Sequence, residues 1–224
     1  MRIIAFLFLP LLIFAAPPQK SAPALTSETA LARLMEGNKR YVAHREIRPD
    51  NGVRHRRDLA EHGQQPFAVI LGCSDSRVPP EFVFDQGLGS LFVVRDAGNI
   101  VDDNVLGSIE YAVEHLHTPL LMVLGHEKCG AVTAAVEGGE APGHMQSLLD
   151  AIKPAVTESA SEPGDRVHNC MVANARRVAR QIRESEPLLR EAIAAGRLKI
   201  VAATYDLTTG AVTVLNDKIA AAAH

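Results

Sequence analysis

The 224-residue sequence is 47% hydrophobic and 22% charged, with 23 basic against 26 acidic side chains and a formal net charge of −3. That balance, with no repeat or long low-complexity stretch, excludes a disordered chain. No basic block is dense enough to suggest nucleic acid, since Arg54-His55-Arg56-Arg57 is a short cluster that fits one solvated helix face.

The chain opens as a signal peptide. Arg2 supplies a positive start, residues 3–14 are apolar apart from Pro10, and Ala22-Pro23-Ala24 is an A-x-A cleavage pattern. The apolar run falls short of the ~20 residues a spanning helix needs. Residues 1–24 are therefore expected to be removed, leaving a single domain over 25–224 in the periplasm or outside the cell. Losing Arg2 and Lys20 takes two positive charges from the −3 of the whole chain and leaves −5.

Residues 28–45 carry helical apolar spacing (Leu31, Leu34, Met35, Tyr41, Val42) behind Thr26 or Ser27 as N-cap, and a polar helix over 53–62 ends at Gly63. The run 67–71 (Phe-Ala-Val-Ile-Leu) has the continuous apolar character of a buried parallel strand, as do 91–94 and 120–124. Between the last two, residues 102–117 form a helix with Val105, Leu106, Ile109, Val113 and Leu116 on one face. A helix starts near Cys129, and further helices are expected over 143–156, 165–185 and 186–195. A strand over 198–203 and a hairpin edge over 211–215 close the chain. Alternating apolar runs and helices imply an α/β fold, with a mostly parallel sheet of four to five strands flanked by helices. Ligands in such sheets bind at the carboxyl ends of the strands. No glycine-rich phosphate loop follows the first strand, which argues against a nucleotide site.

Reactive side chains gather at two of those ends. Gly72-Cys73-Ser74-Asp75-Ser76-Arg77 follows the first strand, and Gly125-His126-Glu127-Lys128-Cys129-Gly130 closes the third. If the two strands are neighbours, Cys73, His126 and Cys129 offer two sulfurs and one nitrogen to a single ion, a donor set that selects Zn2+. Three protein donors leave a fourth position for water, as in catalytic zinc sites. A helix starting at Cys129 favours its thiolate. The competing interpretation is a Cys73–Cys129 disulfide beside a buried histidine, which leaves Asp75 and Arg77 without a role; Cys170 fits a buried small apolar side chain.

These motifs, with Phe92-Val-Val-Arg95, Gly107-Ser-Ile-Glu-Tyr-Ala112 and Tyr205-Asp206, resemble the β-class carbonic anhydrases from about residue 28 to residue 215. The resemblance implies zinc-dependent, reversible hydration of carbon dioxide to bicarbonate and a proton by a zinc-bound hydroxide. It implies a homodimer or homotetramer with active sites at subunit interfaces and the N-terminal helix packed on the partner. Asp75 would accept a hydrogen bond from the hydroxide and Arg77 would hold Asp75. Gln64 would meet substrate oxygen across the interface, the alternative being a solvated loop residue. Phe92 and Tyr111 match positions that line the carbon dioxide pocket, which Gly130 adjoins. His115 matches a proton-shuttle position, or is a helix-surface histidine like His117; His168 is expected at the surface. Ala97 departs from the valine of many relatives. Ile70 stands where one regulated branch has a tryptophan holding inhibitory bicarbonate, and the sequence contains no tryptophan. That inhibitory site cannot form in its usual shape.

Overall fold

The computed structural model describes residues 25–216; the signal-peptide segment lies outside them. In chain order the elements are α1 (Ser27–Val42), α2 (Val53–His62), β1 (Ala68–Gly72), α3 (Pro80–Val83), β2 (Leu91–Arg95), α4 (Asp103–Glu114), β3 (Leu120–His126), α5 (Gly130–Glu137), α6 (Met145–Glu158), α7 (Arg166–Glu184), α8 (Leu188–Ala194), β4 (Lys199–Tyr205) and β5 (Val212–Val214). The α/β expectation holds: the five-stranded sheet has the order β2-β1-β3-β4-β5, parallel except for the antiparallel β5 edge. Two short elements carry no apolar period and were not legible in the sequence, α3 and a 3-10 turn over Ala97–Asn99.

Helix starts follow capping chemistry. Thr26 Oγ1 accepts from the Thr29 N–H at 3.3 Å, Asp102 Oδ1 from Val105 at 2.8 Å, and Asp165 Oδ1 from Val167 at 2.8 Å. β1 and β3 are buried along their whole length, as strands covered on both faces must be. Alternate side chains divide between two cores. Val69, Leu71, Leu121 and Val123 meet α4, α7 and α8. Ala68, Ile70, Leu120 and Met122 meet α1 and the α3 segment. Ile70, the residue in the tryptophan position, is fully buried there.

The α1 layer is locked to its neighbours by a close approach and a polar staple. A Cβ on Gly37 would stand 1.8 Å from the Phe84 carbonyl oxygen, so only glycine fits. The buried Asn38 amide donates to the Val83 and Gly210 carbonyls at 3.0 and 2.8 Å and accepts from the Val212 N–H at 2.9 Å. α2 buries none of its residues. Among the described residues no helix is long and apolar enough to cross a membrane.

The topology sets the site. From β1 the chain crosses to β2 on one side and returns to β3 on the other, so the crevice between the carboxyl ends of β1 and β3 is the switch point of the sheet. Gly72 is in register with Leu124. Cys73 and the Gly125-His126 pair therefore leave the sheet side by side.

Candidate metal centre

Cys73, His126 and Cys129 converge at that crevice, with all three donor atoms within 4.8 Å of one another and all three residues buried. Each is aimed by its own element. Cys73 follows β1, and its Sγ accepts from the Gly98 and Asp75 N–H groups at 3.3 and 3.4 Å. Gly98 can offer that N–H because it adopts φ +76; a Cβ there would sit 2.7 Å from Ile152 Cδ1. The buried Asn174 amide secures the same loop by donating to the Gly98 carbonyl at 2.8 Å. Cys129 is the N-cap of α5.

His126 ends β3 with a fully buried side chain. Its Nδ1 lies 2.8 Å from the Glu127 carbonyl oxygen. A carbonyl can only accept, so Nδ1 carries the proton and Nε2 is left with a free lone pair. That Nε2 is buried and has no hydrogen-bond partner. An orphaned ring nitrogen facing two thiols is costly unless a cation meets it. Two sulfurs and an imidazole nitrogen fit zinc.

The electrostatics agree. The Cys73 thiol is held down to about 4, first by the hydrogen bond from Cys129, which outweighs burial, and further by the Gly98 and Asp75 N–H groups. Cys129 is pushed up by sharing that proton with Cys73 and by burial, which outweigh the Val132 and Ala131 N–H groups at the start of α5, so the helix start alone does not make it a thiolate as expected. The metal-free pair thus shares one proton, which a cation would displace. All three cysteines are free thiols, so the disulfide alternative does not describe this fold. Cys170 is fully buried in the adjoining apolar cluster, as expected.

Asp75 stands beside the triad, its Oδ2 3.8 Å from His126 Nε2. Arg77 grips both carboxylate oxygens, Nε to Oδ1 at 2.9 Å and Nη2 to Oδ2 at 2.7 Å, and its backbone N–H also donates to Oδ1 at 2.9 Å. That grip holds the Asp75 carboxyl well below the usual carboxylate range. Arg95 is a positioning residue that no local pattern in the sequence marks. From the end of β2 its Nε donates to the Cys73 carbonyl at 2.9 Å and its Nη2 to the Asp75 carbonyl at 2.6 Å, which fixes the loop bearing both.

A family model described as carbonic anhydrase matches residues 68–212. Carbonic anhydrase 2 of Mycobacterium tuberculosis is 43% identical over 201 residues, covering 88% of this chain and 96% of the relative. A tetrameric β-carbonic anhydrase of Sordaria macrospora superposes with a TM-score of 0.68 at 27% identity, over 83% of this chain and 96% of that one. The chain belongs to the β-class carbonic anhydrase family. A carbonic anhydrase of Mycolicibacterium smegmatis is 40% identical over 183 residues, 80% of this chain and 88% of the relative. The Coccomyxa β-carbonic anhydrase, solved in complex with acetazolamide, gives a TM-score of 0.66 at 25% identity, over 83% of this chain and 86% of that one.

The remaining residues that the β-carbonic anhydrase resemblance marks divide sharply. Gly130 opens α5 at the triad. Gln64, Phe92, Tyr111 and His115 lie at the opposite, amino edge of the sheet. Gln64 is exposed in the loop before β1, and Phe92 is half-buried near the start of β2. Tyr111 lies near the C-terminus of α4 and His115 caps that end. Their rings form a ladder, Phe92 to Tyr111 at 6.2 Å and Tyr111 to His115 at 5.2 Å. A strand of five to seven residues separates the two edges, about 20 Å. A pocket combining Phe92, Tyr111 and Gly130 is therefore not formed within one chain.

Proposed function

We propose that this chain is an exported, zinc-dependent carbonic anhydrase that reversibly hydrates carbon dioxide to bicarbonate and a proton. The observation that carries the proposal is the buried, partnerless Nε2 of His126 facing two thiols, with a carboxylate locked beside it. Cys73, His126 and Cys129 would hold the zinc, which when bound lowers the pKa of water from ~15.7 towards ~7 and so supplies a nucleophile at working pH. Asp75 is kept ionised by Arg77 and can therefore only accept a hydrogen bond, which orients the attacking water. Because Arg77 occupies both Asp75 oxygens, the carboxylate is restrained from joining the three donors, leaving a position for water. A Cβ on Gly130 would meet nothing within 4 Å, so the start of α5 is open at that point. Cys73 and Cys129 as thiolates would donate more charge to the ion than imidazoles, so hydration is expected to improve in mild alkali.

The protein works as a homodimer or homotetramer in which the amino edge of one copy completes the site of the next. Gln64 would meet substrate oxygen there, Phe92 and Tyr111 would wall the carbon dioxide pocket and His115 would pass the proton to solvent. Support comes from the exposure of Tyr111, 48% in the single chain, and from the tetrameric Sordaria relative. Export rests on the signal-peptide pattern in residues 1–24.

Stopped-flow hydration of carbon dioxide by the zinc-loaded protein tests the proposal. Expected is catalysis that rises from neutral to mildly alkaline pH; a zinc-replete protein that leaves hydration at the buffer rate throughout would refute it.

A further inference from the structure

Only Glu127 and Lys128 separate His126, the end of β3, from Cys129, the cap of α5. This two-residue turn carries two of the three donors, and it is strained, because Lys128 adopts φ 53, a left-handed conformation unfavourable for a side chain with a Cβ. Such a turn persists only when its surroundings hold it. Three contacts from other elements do so. The Glu127 N–H donates to the Tyr205 carbonyl of β4 at 2.9 Å. Arg77 Nη2 reaches the Lys128 carbonyl at 3.4 Å. The third contact comes from α7: His168 Nδ1 lies 2.8 Å from Glu127 Oε1, and since a carboxylate only accepts, the imidazole donates.

Glu127 is therefore bound at three atoms at once. Its N–H is tied to β4, its carboxylate to α7, and its carbonyl accepts the Nδ1–H of His126, which sets the tautomer and ring plane of that imidazole. His168 is itself held in place, since its backbone N–H donates to the Asp165 cap of α7 at 3.2 Å. We infer that His168 is a positioning residue for the metal centre: by holding the Glu127 carboxylate it keeps the Glu127 carbonyl, and through it the His126 imidazole, aligned on the ion. It is not a catalytic residue, because it touches neither the donors nor Asp75. The inference rests on the zinc function proposed above.

The side chains of His168 and Glu127 are 47% and 30% exposed, so the effect is modest, in the range of an exposed ion pair. The test uses zinc-loaded protein, wild type and variants, and measures two quantities. One is the rate of zinc loss to a chromophoric chelator, and the other the NMR resonance of the His126 Nδ1–H. His168→Ala is expected to lose zinc about two- to five-fold faster and to shift that resonance. His168→Gln, whose amide can still donate to Glu127, should recover part of both. Glu127→Ala combined with His168→Ala should lose zinc no faster than Glu127→Ala alone, since one residue acts through the other. If His168→Ala lowers only the melting temperature and leaves both readouts at wild-type values, His168 is a plain strap between α7 and the turn, and the inference fails. A wild-type chain that takes up no zinc defeats the proposed function as well, so the two failures are distinct.

Discussion

The two edges of the sheet teach different things. At the carboxyl edge of β1 and β3 every reactive group is buried or gripped. Cys73 takes two backbone N–H groups, His126 is oriented through Glu127, and Asp75 is clamped by Arg77 with Arg95 fastening its loop. At the amino edge, Gln64, Tyr111 and His115 are exposed, and the aromatic ladder ends in solvent. The first edge brings its groups together within one chain; the second is open to solvent. Binding of metal should belong to the single chain, and turnover to the assembly.

The largest effect that would break this contrast comes from the carboxyl edge. Cys129→Ala should abolish zinc binding and bring hydration to background while far-ultraviolet circular dichroism stays that of wild type. At the amino edge, Tyr111→Asp should reduce the mass measured by light scattering and lower hydration about tenfold or more, with zinc content retained. Zinc loss in the Tyr111 variant would mean the edges are not independent.

Two substitutions away from both edges sharpen the comparison, because they should move stability and leave zinc content alone. Gly37→Ala would stabilise an ordinary exposed helix by about 1 kcal/mol. Here the new Cβ meets the Phe84 carbonyl at 1.8 Å, so a loss of about 2–4 kcal/mol is expected, read as a lower melting temperature.

The smallest effect concerns Asp85, whose buried carboxylate pairs with Arg40 at 2.6 Å and accepts from the Ile47 and Arg48 N–H groups at 3.1 and 2.9 Å. Burial raises its pKa, but Arg40 and those N–H groups outweigh it, and the net shift is downward. A depressed carboxyl contributes stability above its unfolded value, and the contribution is lost as pH falls below that value. Asp85→Asn should therefore cost about 1–2 kcal/mol in urea unfolding near neutrality, with the difference from wild type shrinking below about pH 4.

Two of the three donors were legible because they lie where an apolar run stops, and Cys129 because a helix begins there. Residues 67–71 and 120–124 announce buried strands, and Gly72 and Gly125 mark their ends, so Cys73 and His126 fall at the carboxyl edge on pattern alone. That β1 and β3 are neighbours was an assumption, and their register bears it out. The supporting contacts were not legible, because they join residues far apart in the chain. Asn174 reaches back 76 positions to Gly98, and His168 reaches back 41 to Glu127, and nothing local marks either. His168 was expected at the surface. It is partly exposed but paired. The division between edges was present in chain order all along: Gln64 precedes β1 and His115 precedes β3, which puts both at strand beginnings, away from the donors.

The most direct test of the account is a titration of metal-free protein with zinc, followed by stopped-flow hydration of carbon dioxide at each addition. Activity is predicted to rise linearly and level off at one zinc per chain. Hydration that is independent of zinc, or one zinc tightly bound per chain with no hydration at any pH, would contradict it.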